Sequence, residues 1–344
     1  MTRTVQTKRR DGAVLVIGAT GFIGSALTAA LVQRGESVIA ATRRAVVGNG
    51  AALGPVTWRY CDVLRPESLQ EAMTGVRVVY YLVHSMGRGR SDYAAIDRRS
   101  ARNVVDAAER AGIERIIYLG GPVPPAKASA HLRSRAEVGA ILRAGKVPTI
   151  ELRASMVIGR GSASWQVVRD LAKRLPAMIL PRWLESKTCP IALDDAIAAL
   201  VAAADMPIAK SVAFDIPGPE VVSGREILER IARLEHRRVP ILEVPLLTPR
   251  LSAAWLKLVT GADYGLAREL VFGLTTDLLP ESDNYWRLIG HEELVPFDEA
   301  ARRALADEPR GARSLAGLEE RLVKLTARRS RDEPPWAPRR GETP

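Results

Sequence analysis

The sequence predicts an α/β protein, a doubly wound parallel sheet with a smaller C-terminal lobe interwoven with it. Three observations lead there. Short β-branched-rich apolar runs alternate with stretches of helical spacing through the first half, a glycine-rich turn joins the first run to the first helix, and beyond Gly159 prolines cut the chain into shorter pieces. Strands that are separated by helices run parallel and are covered on both faces.

Taken in order, residues 13–18 read as a strand, and 22–33 as a helix with Ile23, Leu27, Ala30 and Leu31 at helical spacing. Further strands are predicted at 37–42, 56–60, 76–83, 115–119 and 149–152, with helices at 66–74, 93–111 and 132–144 between them. Residues 13–158 then form a nucleotide-sized α/β domain and 159–327 the smaller substrate lobe. Two stretches of that lobe, 188–193 and 212–216, are candidates to return to the main sheet, each before a helix, capped by Asp194 and Ser223 respectively. The basic leader 1–12 and the tail 328–344 lack periodicity and read as disordered.

A chain of 344 residues, 47% hydrophobic and 26% charged, is long enough for two modest domains and excludes collagen-like, mucin-like and wholly disordered classes. Two cysteines, Cys61 and Cys189, exclude a disulfide scaffold and fit a reducing cytoplasm. The leader has no apolar stretch of signal-peptide type, and no apolar run reaches spanning length, so the expectation is a protein neither secreted by that route nor integral. Four histidines without paired ligand spacing predict no metal site. The net charge of +11 favours anionic partners: a phosphorylated cofactor, an acidic membrane or nucleic acid. Nucleic acid is the weakest of these, because aromatics are only 5% and no basic stripe interleaves with them.

Gly18-Ala19-Thr20-Gly21-Phe22-Ile23-Gly24 spells G-x-x-G-x-x-G between a predicted strand and a predicted helix, where the motif gains meaning. Gly18 permits the turn, Gly21 lets backbone approach a pyrophosphate, and Gly24 lets the helix sit against the strand while its N-terminal amides bind the anion. The second strand ends in Thr42-Arg43-Arg44, where an NAD site presents Asp or Glu to the ribose 2′-hydroxyl. Arg43 and Arg44 suit a 2′-phosphate instead, which favours NADP (NADPH) over NAD; as loop arginines of a basic protein they also have a plain solvated reading. Asp62 is placed to accept from the adenine amino group, or to cap the helix near Pro66. The candidate cofactor-binding set is Gly18, Thr20, Gly21, Phe22, Ile23, Gly24, Arg43, Arg44, Asp62, Val63 and Val83.

These residues, with Tyr80-Tyr81-Leu82-Val83-His84-Ser85-Met86-Gly87, His131-Leu132-Arg133-Ser134-Arg135 and Glu151-Leu152-Arg153 followed by Gly159, resemble the short-chain dehydrogenase/reductase superfamily. The resemblance covers about residues 13–305 and is to its atypical, NmrA-like NAD(P)-binding branch, related to the extended reductases and epimerases, and so implies a Rossmann fold. Pro190-Ile191-Ala192-Leu193-Asp194-Asp195 and Phe214-Asp215-Ile216-Pro217-Gly218-Pro219-Glu220 are similar to the extended group's second lobe. The superfamily reduces carbonyls with a Tyr-x-x-x-Lys pair and a strand-end Ser. Here the strand ends in Leu119-Gly120-Gly121-Pro122, and His131 and Arg135 stand at the Tyr and Lys spacing.

His131 is the candidate proton donor, with Arg135 holding a ribose hydroxyl or an anion and lowering the pKa of the imidazole. Both also fit a plain surface role on a degenerate helix. His84, at a strand's carboxyl end, is a second catalytic candidate or a buried hydrogen-bonding residue. Tyr81 and Tyr118 rank lower as donors, and Arg153 is a candidate for an anionic substrate group. In 246–260, Leu247, Leu251, Ala254, Trp255 and Leu258 share a helical face suited to an acidic membrane, a substrate wall or ordinary packing. The expected function is hydride transfer, as an NADP(H)-dependent oxidoreductase, to or from a small apolar carbonyl or activated alkene. A non-catalytic NADP(H) sensor or assembly protein acting through a protein partner shares the same cofactor residues, and peripheral membrane contact is compatible with both.

Overall fold

The computed structural model describes residues 12–44, 52–53, 56–84, 93–125, 128–174, 178–180, 182–237, 241–243 and 276–307. The chain divides into two compact units, 1–304 and 305–344, and all that follows concerns the first. The elements are β1 (Ala13–Ile17), α1 (Phe22–Gln33), β2 (Val38–Thr42), β3 (Ala52–Leu53), β4 (Val56–Tyr60), α2 (Pro66–Ala72), β5 (Val76–Tyr81), α3 (Tyr93–Ala111), β6 (Arg115–Gly120), α4 (Ala130–Ala144), β7 (Thr149–Arg153), β8 (Val157–Ile158) and α5 (Ala163–Arg174). They continue with β9 (Met178–Leu180), a 3₁₀ turn (Arg182–Glu185), β10 (Lys187–Thr188), β11 (Ile191–Ala192), α6 (Leu193–Ala203), β12 (Val212–Asp215), β13 (Val222–Ser223), α7 (Gly224–Leu234), β14 (Ile241–Glu243), α8 (Asn284–Ile289) and α9 (Phe297–Ala306).

The main sheet has the order β12-β7-β6-β5-β1-β2-β4-β3, all parallel except two-residue β3, which runs antiparallel to β4. The chain winds outward from β1 to β4, then crosses back to β5 and winds the other way. This reversal opens a crevice at the carboxyl ends of β1 and β5, the place where open α/β sheets bind ligands. β1 and β5 are buried on both faces, which explains why they read as continuous apolar runs. Strand alternation divides the core in two: Val14, Val16, Tyr80 and Ile117 share one cluster with residues of α1 and α6, while Leu15, Ile17, Tyr81 and Tyr118 share the other with residues of α2, α3 and α4.

Residues Val212–Asp215 join the main sheet as β12, in register with Ile150–Arg153 of β7. The stretch 188–193 does not. It is split about Pro190 into β10, paired with β13, and β11, paired with β8, because proline has no amide to donate to a continuous ladder. The N-cap of α6 is Ala192, so Asp194 lies in the first turn and is not the cap. Ser223 does cap α7, as expected, in a capping box with Glu226.

The segment before α9 comes back onto the first core cluster. Tyr285 and Trp286 are buried there, the Tyr285 hydroxyl donating to Ala199 O at 2.8 Å and Trp286 Nε1 to Pro217 O at 3.0 Å. The leader up to residue 11, the helix expected within 246–260 and the tail 328–344 lie outside the described residues. Among the described residues, no helix is long and apolar enough to cross a membrane, and no group of three or more His, Cys, Asp or Glu is placed to hold a metal ion.

Candidate functional site

Packing makes glycine obligatory in the loop after β1. Gly18 takes φ +97°, and a Cβ there would lie 2.9 Å from the Leu82 carbonyl oxygen just past β5. A Cβ at Gly24 would drive into the Gly18 carbonyl, so α1 can lie this close to the loop only with hydrogen at that position. Gly21, the exposed N-cap of α1, carries no side-chain cap, and the first turn holds no acid. The amides of Phe22, Ile23 and Gly24 are the unpaired positive end of the helix, with Thr20 exposed beside them. A Cβ at Gly21 would meet only Gly18 O, at 3.2 Å, so the approach to these amides is open. The loop therefore fits the pyrophosphate of a dinucleotide.

The other cofactor candidates lie along the same edge. Arg43 and Arg44 leave β2 exposed, the Arg44 amide donating to Thr42 Oγ1 at 3.1 Å. Asp62 follows β4, half-buried, and its Oδ1 accepts from Leu64 N at 3.0 Å. That local turn uses one oxygen; the cap of α2 is Arg65, so the capping alternative for Asp62 does not hold. Val63 accepts from Asn103 Nδ2 at 2.9 Å through its carbonyl, and Val83 packs beside Gly18.

Across the crevice, α4 is started by Ser129, whose Oγ accepts from Leu132 N at 3.2 Å. This sets His131 in the first turn and Arg135 one turn further on. The His84 and His131 rings lie 5.7 Å apart, tilted by 55°. His131 is half-buried, while His84 is exposed. Desolvation, then the Arg135 charge and then His84, lower the pKa of His131 to about 3. Desolvation first and Arg135 second likewise lower His84 to about 4, opposed by Asp97. Both imidazoles are therefore held neutral at pH 7. Arg135 acts in the expected direction, but burial is the larger cause.

Arg135 is anchored from behind. Its Nη2 donates to Leu119 O at 2.6 Å, and its carbonyl accepts from Tyr118 Oη at 3.1 Å. Tyr118 is buried, with its pKa raised to about 12 by desolvation, and serves as part of this anchor. Tyr81 is not a donor to the crevice. It is 1% exposed in the second core cluster, its ring 5.9 Å from that of Tyr118, and burial drives its pKa upward. Arg153 lies within 3.6 Å of Glu151 and 3.7 Å of Glu281, so its charge is already engaged.

Two buried carboxylates behind the histidines escaped the sequence reading. Asp97 of α3 accepts from Ser134 Oγ of α4 at 3.2 Å. Its signal was available: Asp97 shares a helical stripe with Ala101, Val104 and Ala108, all buried. Glu151 of β7 lies under α4, 2.8 Å from Arg143 Nε, in a space that exists because residues 120 and 139 are glycines. Desolvation raises its pKa in spite of the arginines around it.

A reversed parallel sheet with a glycine cradle at its switch point and a polar wall facing it defines an NAD(P)-binding Rossmann protein of the reductase and epimerase type. Residues 14–181 match the sequence model of the NAD dependent epimerase/dehydratase family. An uncharacterized protein of Mycobacterium tuberculosis is 26% identical over 329 residues, 88% of this chain and 35% of its own length, so the chain spans about a third of that relative. A ceramide reductase of Caulobacter vibrioides is 26% identical over 280 residues, 79% of this chain and 87% of the relative. Among solved structures, the Citrobacter sp. triphenylmethane reductase complexed with NADP(H) superposes with a TM-score of 0.69 at 18% identity, covering 85% of this chain and all of that one.

Proposed function

We propose that this protein is an NADP(H)-dependent oxidoreductase acting on an apolar, long-chain carbonyl compound. One observation carries the reading: two neutral imidazoles lie side by side with a fixed guanidinium next to them, and His84 directly follows the Leu82-Val83 stretch that packs on Gly18 of the cradle. When bound, the nicotinamide supplies the hydride. Neutral His131 donates a hydrogen bond to the carbonyl oxygen, and the Arg135 charge stabilises the negative charge that grows there. The proton that completes the alcohol comes from solvent at the exposed His84. Arg43 and Arg44, in place of a carboxylate after β2, support NADP(H) over NAD(H). The likeness to a ceramide reductase supports a lipid-like carbonyl substrate, as against a sugar nucleotide.

The test is NADPH oxidation against long-chain ketones, β-keto esters and quinones, followed by nicotinamide absorbance. Turnover with a long-chain ketone, retained NADPH affinity in His131→Phe and a hundredfold or greater fall in its kcat would support the assignment. Unchanged kcat would remove His131 from the chemistry. Tight NADPH binding with no oxidation would transfer the site to the sensor reading, and absence of binding would end both.

A further inference from the structure

We infer that Arg160 is a cofactor-binding residue that adds a guanidinium to the pyrophosphate site at the start of α1. This rests on the dinucleotide reading of the cradle and extends it to the loop between β8 and α5.

That loop is locked onto the first residue of the phosphate-binding helix. Gly159 lies so close to the Phe22 ring that a Cβ would come within 2.8 Å of Cζ, and within 3.2 Å of Leu193 Cβ on its other side. Gly161 takes φ +99° and would bring a Cβ to 3.3 Å from Phe22 Cδ2. The Ser162 amide donates to Gly159 O at 3.1 Å and closes the turn. Only glycines fit on either side of Arg160, so their effect is to hold the backbone of this one residue at the start of α1.

The electrostatics of the place need an anion. Arg160 is exposed and has no ion-pair partner among the described residues, whereas Arg143, Arg153, Arg169, Arg225, Arg230 and Arg303 all have carboxylates within reach. It stands beside a helix N-terminus that has neither a side-chain cap nor an acid in its first turn, so like signs are brought together. A diphosphate bound to the amides of α1 reverses that repulsion and gives the guanidinium a bidentate partner.

The experiment measures binding, with no turnover required. ADP-ribose, NADH and NADPH are titrated into the full-length protein and its Arg160→Gln and Arg160→Lys variants, at two salt concentrations. The expected result is a loss of about tenfold or more for all three ligands in Arg160→Gln, a partial recovery in Arg160→Lys, and a weaker salt dependence in the glutamine variant. Equal affinities in wild type and Arg160→Gln overturn the inference. A loss confined to NADPH also overturns it, since that would place Arg160 on the 2′-phosphate. Failure of the wild type to bind any of the three would instead overturn the cradle reading. Because Arg160 is exposed, the melting temperature of the ligand-free variant should match wild type, and a matching value ties the loss to the contact.

Discussion

His131 and His84 owe their neutrality to burial first and to Arg135 second, and this has a consequence for pH. Their folded-state pKa values, about 3 and about 4, lie below the unfolded value near 6.5. The unfolded chain therefore binds more protons than the folded one between these limits. The stability that the two histidines leave intact above pH 6.5 is lost as pH falls toward 4. Urea midpoints measured from pH 7 to pH 5 should fall with acid in the wild type and fall less in the double variant His84→Gln/His131→Phe. Equal slopes would show that the rings are not desolvated. The same neutrality predicts that kcat/KM shows no ionisation with a pKa near 6.5; a clear acid limb there would contradict the neutral hydrogen-bond donor. At Arg43 and Arg44, paired alanine substitution should weaken NADPH binding tenfold or more while leaving NADH nearly unchanged. Equal losses would show that the pair does not read the 2′-phosphate.

Among the elements, α1 and α4 hold the site by the same device, a glycine that lets a helix approach. Gly24→Ala would thrust a methyl into the Gly18 carbonyl, so the variant should lose NADPH binding altogether while far-UV circular dichroism stays near wild type. Retained affinity would mean that loop and helix can part without harm. α1 and its loop were legible because the motif lies within seven consecutive residues and contains its own geometric reason. The parallel strands were legible from their apolar runs, and Ser223 from the spacing of its capping box. What could not be read was anything decided by pairing at a distance. Tyr80 and Tyr81 are adjacent aromatics on a strand buried on both faces, so nothing local says which one reaches the crevice; neither does. Arg160 carries no local signal of a role, because the Phe22 ring on which its two flanking glycines pack lies far away in sequence. The split of 188–193 into two pairings was foreshadowed by Pro190, but their partners Val157–Ile158 and Val222–Ser223 were not.

The first unit is closed by a return of the chain over a long sequence separation, and Asp195 is its clasp. This carboxylate is 2% exposed in the first turn of α6, bonded to His291 Nε2 at 2.9 Å and accepting from Val295 N at 2.9 Å. Beside it, α8 inserts Tyr285 against Phe214 of β12, with ring centroids 5.1 Å apart, so the clasp joins α6, the last strand of the sheet and the C-terminal segment into one core. Asp195→Ala would leave a backbone amide and an imidazole without their partner, a loss of about 2–4 kcal/mol. Asp195→Asn, which keeps one acceptor, should lose less. Denaturation followed by tryptophan fluorescence should show one transition at a lower urea midpoint, with faster hydrogen exchange in 284–295. An unchanged midpoint would mean that the return is held by Tyr285 and Trp286 alone. α6 packs against α1 in the first core cluster, and its Leu193 lies near Gly159 beside Phe22, but the bonds of Asp195 itself run to His291 and Val295 and not to the cradle. NADPH at about a hundred times its Kd should therefore stabilise wild type and Asp195→Ala by the same increment, roughly 2.7 kcal/mol by mass action. A smaller increment in the variant would show that the clasp also sets the shape of the nucleotide site.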